Sequence, residues 1–147
     1  MKKVISEKIG KYFSKIKAVK LVYLYGSQAR NDAKENSDID LAVLFDDSKG
    51  DSLKIQIESA SLLEDLLNKK IEVQNLNVID IVFAYRVISE GKLLYAKDQI
   101  YKVRYEERVL RQYFDLKPLF DEFDTHLEER ARNKLLGRTY EYLQGSL

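Results

Sequence analysis

The sequence predicts an α+β fold: a small mixed β-sheet packed by helices, with a helical C-terminal extension. Residues 19–25, 39–45 and 71–76 are short runs rich in β-branched and aromatic residues, bounded by turn residues, as buried strands are. Between and after them, apolar residues recur at steps of three and four, the period of helices that bury one face. Strands alternating with such helices favour a sheet backed by helices.

Each element follows in order. Val4, Ile5, Ile9, Tyr12, Phe13 and Ile16 share the face of a first helix. The strand at 19–25 runs into Gly26-Ser27, a tight turn from which a short helix is expected. Residues 31–37 are polar and break the period, which makes them a loop before the strand at 39–45. A turn at 46–51 leads to a helix at 53–67 with Ile57, Ala60, Leu63 and Leu67 on its apolar face. Lys69-Lys70 interrupts, and a third strand follows at 71–76. Asn77 is suited to cap a helix over 78–89, with Asp80 at its third position and Gly91 ending it, and 92–95 reads as a short edge strand.

From 99 to 136 the pattern gives one or two helices, with Tyr101, Tyr105, Val109 and Tyr113 on one stripe and Pro118 expected to kink or divide the segment. These tyrosines are expected to pack with their hydroxyls at the edge of the core. The expected organisation is a core over residues 1–97 and a helical segment over 98–147, packed on or extending that core and contributing to partner contacts.

Composition removes several classes of function. Lysine and arginine number 25 against 24 acids, so a net charge of +1 gives no strong field for gathering nucleic acid or anionic membrane. No direct nucleic-acid or membrane binding is expected, and a templated polymerase is disfavoured. The absence of cysteine excludes thiol nucleophiles, disulfides and thiolate zinc sites, and fits a cytoplasmic protein. No apolar stretch is long enough for a signal peptide or a membrane span, so a soluble chain is expected. The single histidine, His126, lies in a charged helical stretch and reads as a surface residue. A metal would therefore take oxygen ligands, which suits magnesium or manganese better than zinc.

Three features could assemble a site on one sheet. Gly26 lets backbone approach a ligand closely, Ser27 adds a hydroxyl and free amides at a helix start, and Arg30 either reaches the same phosphates or pairs with an acid. Asp38 and Asp40 are two apart, so strand alternation sends both carboxylates to one face while Ile39 and Leu41 take the other. Paired like charges signal a cation or a raised pKa. Glu72, between Ile71 and Val73, joins that face if its strand lies beside the Asp40 strand. Three acids would then surround two divalent ions, one activating an attacking hydroxyl and one stabilising a departing pyrophosphate. Each feature alone is a common turn or a solvated strand edge; their combination points to phosphoryl chemistry.

Gly26-Ser27-Gln28-Ala29-Arg30 followed by Ser37-Asp38-Ile39-Asp40-Leu41 resembles the signature of the DNA polymerase beta-like nucleotidyltransferase superfamily. The short length and the segment ending Glu90-Gly91-Lys92-Leu93-Leu94-Tyr95 are similar to its minimal nucleotidyltransferases of the MNT or MntA type. The resemblance implies the nucleotidyltransferase fold, with Gly26 and Ser27 on nucleotide phosphates and Asp38, Asp40 and Glu72 on Mg2+, two ions being expected. The family's third acid is usually aspartate; here the matching position is Glu72. The resemblance further implies an antitoxin that transfers AMP from ATP to a tyrosine hydroxyl of a HEPN-domain ribonuclease toxin. Two alternatives stay open: an antitoxin with a weak or vestigial site that acts by occlusion, and a nucleotidyltransferase for a small molecule such as an antibiotic. The second needs an acidic acceptor pocket, whereas Asp121, Glu122, Asp124, Glu128 and Glu129 alternate with Arg130 and Arg132 as a solvated helix face does.

Overall fold

The computed structural model describes residues 3–30 and 37–144, and side chains as far as Asn133. The elements are α1 (Lys3–Ser14), β1 (Val19–Tyr25), a 3-10 turn (Gly26–Gln28), β2 (Ile39–Phe45), a second 3-10 turn (Asp47–Lys49), α2 (Ser52–Leu67), β3 (Ile71–Asn75), α3 (Ile81–Glu90), β4 (Lys92–Ala96) and α4 (Gln99–Gln144). Of the polar loop expected over 31–37, residues 31–36 lie outside the described residues. Among those described, no helix is long and apolar enough to cross a membrane.

The sheet has the order β3-β2-β1-β4. β1 pairs antiparallel with both β2 and β4, and β2 pairs parallel with β3, so the sheet is mixed as the sequence predicts. Alternation along the strands builds a core on each face. Val22 and Leu24 of β1, Ile39, Leu41, Val43 and Phe45 of β2, and Ile71 and Val73 of β3 pack with Ile9 and Phe13 of α1 and Leu63 of α2. Leu21, Tyr23, Ala42 and Leu44 face the other way, against Ala84 and Val87 of α3 and Tyr105 and Val109 of α4. Each such side chain stabilises the fold by roughly 1.5–3 kcal/mol when fully buried. Burial on both faces explains why the central strands read as nearly continuous apolar runs.

Several local expectations are corrected. Ile57 is 63% exposed; the buried face of α2 carries Ser59 and Leu63, flanked by the partly buried Ile55, Ala60 and Leu67. Helix α3 begins three residues later than the 78–89 reading, because Asp80 is its cap, accepting from Phe83 N at 2.9 Å. Asn77 is occupied elsewhere: its Oδ1 accepts from Phe45 N at 2.8 Å and its Nδ2 donates to Phe45 O at 2.9 Å, closing the end of β2. Gly91 ends α3 as expected, its N–H donating to Val87 O. The Tyr105 hydroxyl is buried without a hydrogen-bond partner among the described residues, rather than at the edge of the core. Burial pushes the Tyr105 phenol up to about 12, so it stays neutral at physiological pH.

Two compact units are distinguished, Met1–Leu110 and Arg111–Leu147. The sheet, its helices and the start of α4 form the first. The second is the rest of α4, which passes through Pro118 as one helix instead of dividing there. The proline already holds a helical φ, and on an exposed helix the carbonyl it leaves unpaired can turn to water. Within this unit Lys117 meets Asp121 at 2.7 Å and His126 meets Glu122 at 3.7 Å, both exposed i,i+4 pairs, in keeping with a solvated face.

Asn77→Ala should lower stability by about 1–3 kcal/mol, since it strips partners from both backbone groups of Phe45, whereas Asp80→Ala should cost about 1 kcal/mol as a lost helix cap. Urea unfolding of the two variants checks this ranking, and a milder effect at Asn77 would contradict the assigned roles.

Candidate active site

Strand register assembles the centre of the site. Tyr25 lies opposite Asp40, and Asp40 opposite Glu72, so one row crosses β1, β2 and β3. By alternation these three share the face of Leu21, Tyr23, Ala42 and Leu44, at the end of the sheet where that core stops. Asp40 is half-buried, while Glu72 and Asp38 are exposed. The beginning of β2 is fixed on its β3 side by Ile39 N donating to Lys70 O at 2.9 Å. On the other side Gln28, buried in the 3-10 turn, donates from Nε2 to Ser37 O at 3.3 Å and ties the turn to the approach to Asp38.

The electrostatics of the row are unfavourable as it stands. Burial raises the Asp40 carboxyl from 3.8 to about 6, with the charges of Glu72 and Asp38 and a hydrogen bond to Glu72 acting the same way; Arg30 opposes them weakly. Tyr25 is pushed far above its usual range by burial and then by Asp40 and Glu72, so it remains a neutral phenol. Glu72 Oε1 accepts from Gln74 Nε2 at 2.7 Å, a contact along the same face of β3.

Gly26 touches this row. Its φ of +74° is a conformation that L side chains rarely adopt, and a methyl group added there would overlap Asp40 Oδ2. The turn that follows is a single 3-10 turn rather than the expected short helix, closed by Ala29 N and Arg30 N both donating to Gly26 O at 3.2 Å. A turn this short has no useful macrodipole, so anion binding there would depend on local amides, the Ser27 hydroxyl and the Arg30 guanidinium.

Of the residues singled out from sequence, Asp40 and Glu72 are brought into direct contact, Gly26 lies against Asp40, and Ser27 and Arg30 lie on the adjoining turn. Asp38 precedes β2 and acts on Asp40 through its charge. Among the described residues, no three acidic or histidine side chains close into a ready-made metal cage. The donor set still suits a magnesium-like ion, which binds through one or two carboxylates and completes its shell with water and substrate phosphates. The sequence pattern did not single out Gln74, which bonds Glu72, or Tyr25 and the α3 residues Phe83, Arg86 and Glu90, which line a cleft with Gly26 and Arg30. Gln74 was within reach of strand alternation from Glu72, and Phe83, Arg86 and Glu90 follow helical spacing; nothing in the chain alone said which strand or turn they would meet.

A half-buried aspartate in contact with a glutamate on the adjacent strand, abutting a glycine turn, sets hard anionic oxygens beside closely approaching backbone, which suits phosphoryl chemistry. Residues 7–100 match the family model "Polymerase beta, Nucleotidyltransferase", and the chain belongs to that family. It is 30% identical over 115 residues to the protein adenylyltransferase MntA of Aphanizomenon flos-aquae, covering 72% of this chain and 76% of that one. Two solved structures share the fold. One is a crystal structure of a toxin-antitoxin with AMP-PNP, with a TM-score of 0.68 at 23% identity, covering 84% of this chain and 98% of the other. The second, a tri-AMPylated Shewanella oneidensis HEPN toxin in complex with MNT antitoxin, gives a TM-score of 0.69 at 24% identity over 87% and 99% of the respective chains.

Because the folded protein binds a proton at Asp40 that the unfolded chain has released between about pH 4 and pH 6, the contribution of this carboxyl to stability is lost as pH rises through about 6. Asp40→Asn should therefore raise the urea midpoint of the metal-free protein at pH 7.5 and leave it nearly unchanged at pH 4. Equal destabilisation at both pH values would contradict the like-charge pairing.

Proposed function

We propose that this chain is an antitoxin nucleotidyltransferase that moves AMP from ATP to a tyrosine hydroxyl of a HEPN-type ribonuclease, in the cytoplasm, and so inactivates it. The row of Asp40 and Glu72 against the Gly26 turn carries the reading, because it puts hard anionic oxygens beside a place where backbone can approach phosphate. The protein adenylyltransferase MntA of Aphanizomenon flos-aquae and the AMPylated toxin held by a protein of the same fold support this reading.

In this reading Asp38, Asp40 and Glu72 hold Mg2+, and the bound ions would neutralise charge on the α-phosphate and the departing pyrophosphate. Gly26, Ser27 and Arg30 hold the phosphates of ATP. Glu72, on the outer strand, faces the acceptor, and Gln74 keeps its carboxylate oriented by a hydrogen bond of 2.7 Å. The partner's hydroxyl oxygen forms a bond to the α-phosphorus, the bond from that phosphorus to the bridging oxygen breaks, and pyrophosphate departs with the electron pair. The hydroxyl proton passes to a carboxylate of the site. The helical segment over 98–147 contributes to the toxin-binding surface; its exposed Phe114, Leu119 and Phe123 suit a protein partner better than a nucleic acid.

Occlusion with a vestigial site is the second reading, favoured by the lack of a closed three-acid cage among the described residues. Intact mass spectrometry of a co-purified partner before and after addition of ATP and magnesium separates the two. The transferase reading expects one or more AMP additions with the wild type and at least a hundredfold slower labelling with Asp40→Asn. An unmodified partner in a complex that still suppresses its ribonuclease would establish occlusion instead.

A further inference from the structure

The cleft beside the Gly26 turn holds a cation that lies outside the nucleotidyltransferase signature. The cleft has a volume of about 100 Å3 and is lined by Tyr25, Gly26, Arg30, Phe83, Arg86, Val87 and Glu90. Tyr25 and Phe83 form one wall as an edge-to-face pair, with ring centroids 5.2 Å apart. Arg86 stands on the exposed side of α3 and makes no ion pair among the described residues, although Glu90 is one helical turn further on.

Sheet order gives this cleft a direction relative to the chemistry. The strands run β3, β2, β1 across the sheet, so Glu72, Asp40 and the Tyr25–Gly26 junction succeed one another in that order. Transfer at phosphorus places the attacking and leaving oxygens roughly in line, on opposite sides of the phosphorus. With the acceptor on the Glu72 side, the leaving group lies on the β1 side, where the cleft begins. Arg30 and Arg86 both line it, one from the turn and one from α3. Guanidinium groups bind phosphate oxygens with paired hydrogen bonds, which gives a polyanion a defined seat.

We infer that Arg86 binds the terminal phosphates of the nucleoside triphosphate and the pyrophosphate product, completing with Arg30 a leaving-group subsite between the Gly26 turn and α3. This rests on the proposed transferase reading and adds to it a residue from a different element. The nucleoside and α-phosphate lie outside this subsite, so AMP should be indifferent to Arg86. Glu90, the only acid lining the cleft among the described residues, opposes polyanion binding, so its removal should strengthen it.

Calorimetric titration of the full-length protein with inorganic pyrophosphate, ATP and AMP, each with magnesium, tests the assignment. Arg86→Gln should weaken pyrophosphate and ATP binding about tenfold and change AMP binding less than twofold. Glu90→Gln should tighten pyrophosphate binding severalfold. Arg86 is exposed, and thermal melting of Arg86→Gln and Arg86→Lys provides the check on folding. A wild type that binds ATP and pyrophosphate no better than Arg86→Gln would overturn the subsite while leaving the transferase reading intact. Equal loss of AMP and pyrophosphate binding in folded Arg86→Gln would also overturn it. A wild type that binds neither ATP nor pyrophosphate would overturn both.

Discussion

Two carboxylates on neighbouring strands repel one another at close range unless a positive partner compensates them, and the row through Asp40 and Glu72 imposes that constraint on this protein. Parallel pairing of β2 with β3 sets the two residues opposite each other, and partial burial of Asp40 withholds the water that would otherwise screen them. The sheet is therefore folded around a site that is electrostatically incomplete in the isolated chain. In the proposed reaction a divalent cation would supply the missing positive charge. In its absence burial of Asp40, reinforced by the charges of Glu72 and Asp38, raises the Asp40 carboxyl to about 6.

The rest of the first unit makes that juxtaposition obligatory. Apolar side chains cover both faces of the sheet, so a slip of one residue in β2 or β3 would move Asp40 or Glu72 into a packed core and expose leucines and valines in exchange. Gly26 brings the turn against Asp40 where no larger residue fits, and Gln28 bonds across to Ser37. Side chains at the end of a sheet gain their fixed positions in this way from the packing of the strands behind them.

Much of this was legible in the chain. β1 and β2 occupy the residues their apolar runs predicted, because strands buried on both faces carry the same signal in sequence and in packing. The Gly-Ser turn and the alternating aspartates were equally visible, being local patterns with local causes. What escaped depended on contacts distant in sequence. Asn77 has the chemistry of a helix cap but is drawn to the backbone of Phe45, 32 residues earlier. Ile57 has the spacing of a core residue yet faces outward, since α2 turns Ser59 and Leu63 to the sheet. Pro118 predicts a break that an exposed helix absorbs. Tyr25, Gln74 and Arg86 acquire meaning only from strand order and helix placement, which residue pattern does not encode.

The state of the Asp40 carboxyl is the most direct test of the row. Carbon-13 NMR of selectively labelled aspartate, followed through a pH titration of the metal-free protein, should give a midpoint of about 6 for Asp40, moving down toward the ordinary aspartate range in Glu72→Gln. A midpoint near 4 in the wild type, unchanged by Glu72→Gln, would mean that the two carboxylates do not share a site and would contradict the account at its base.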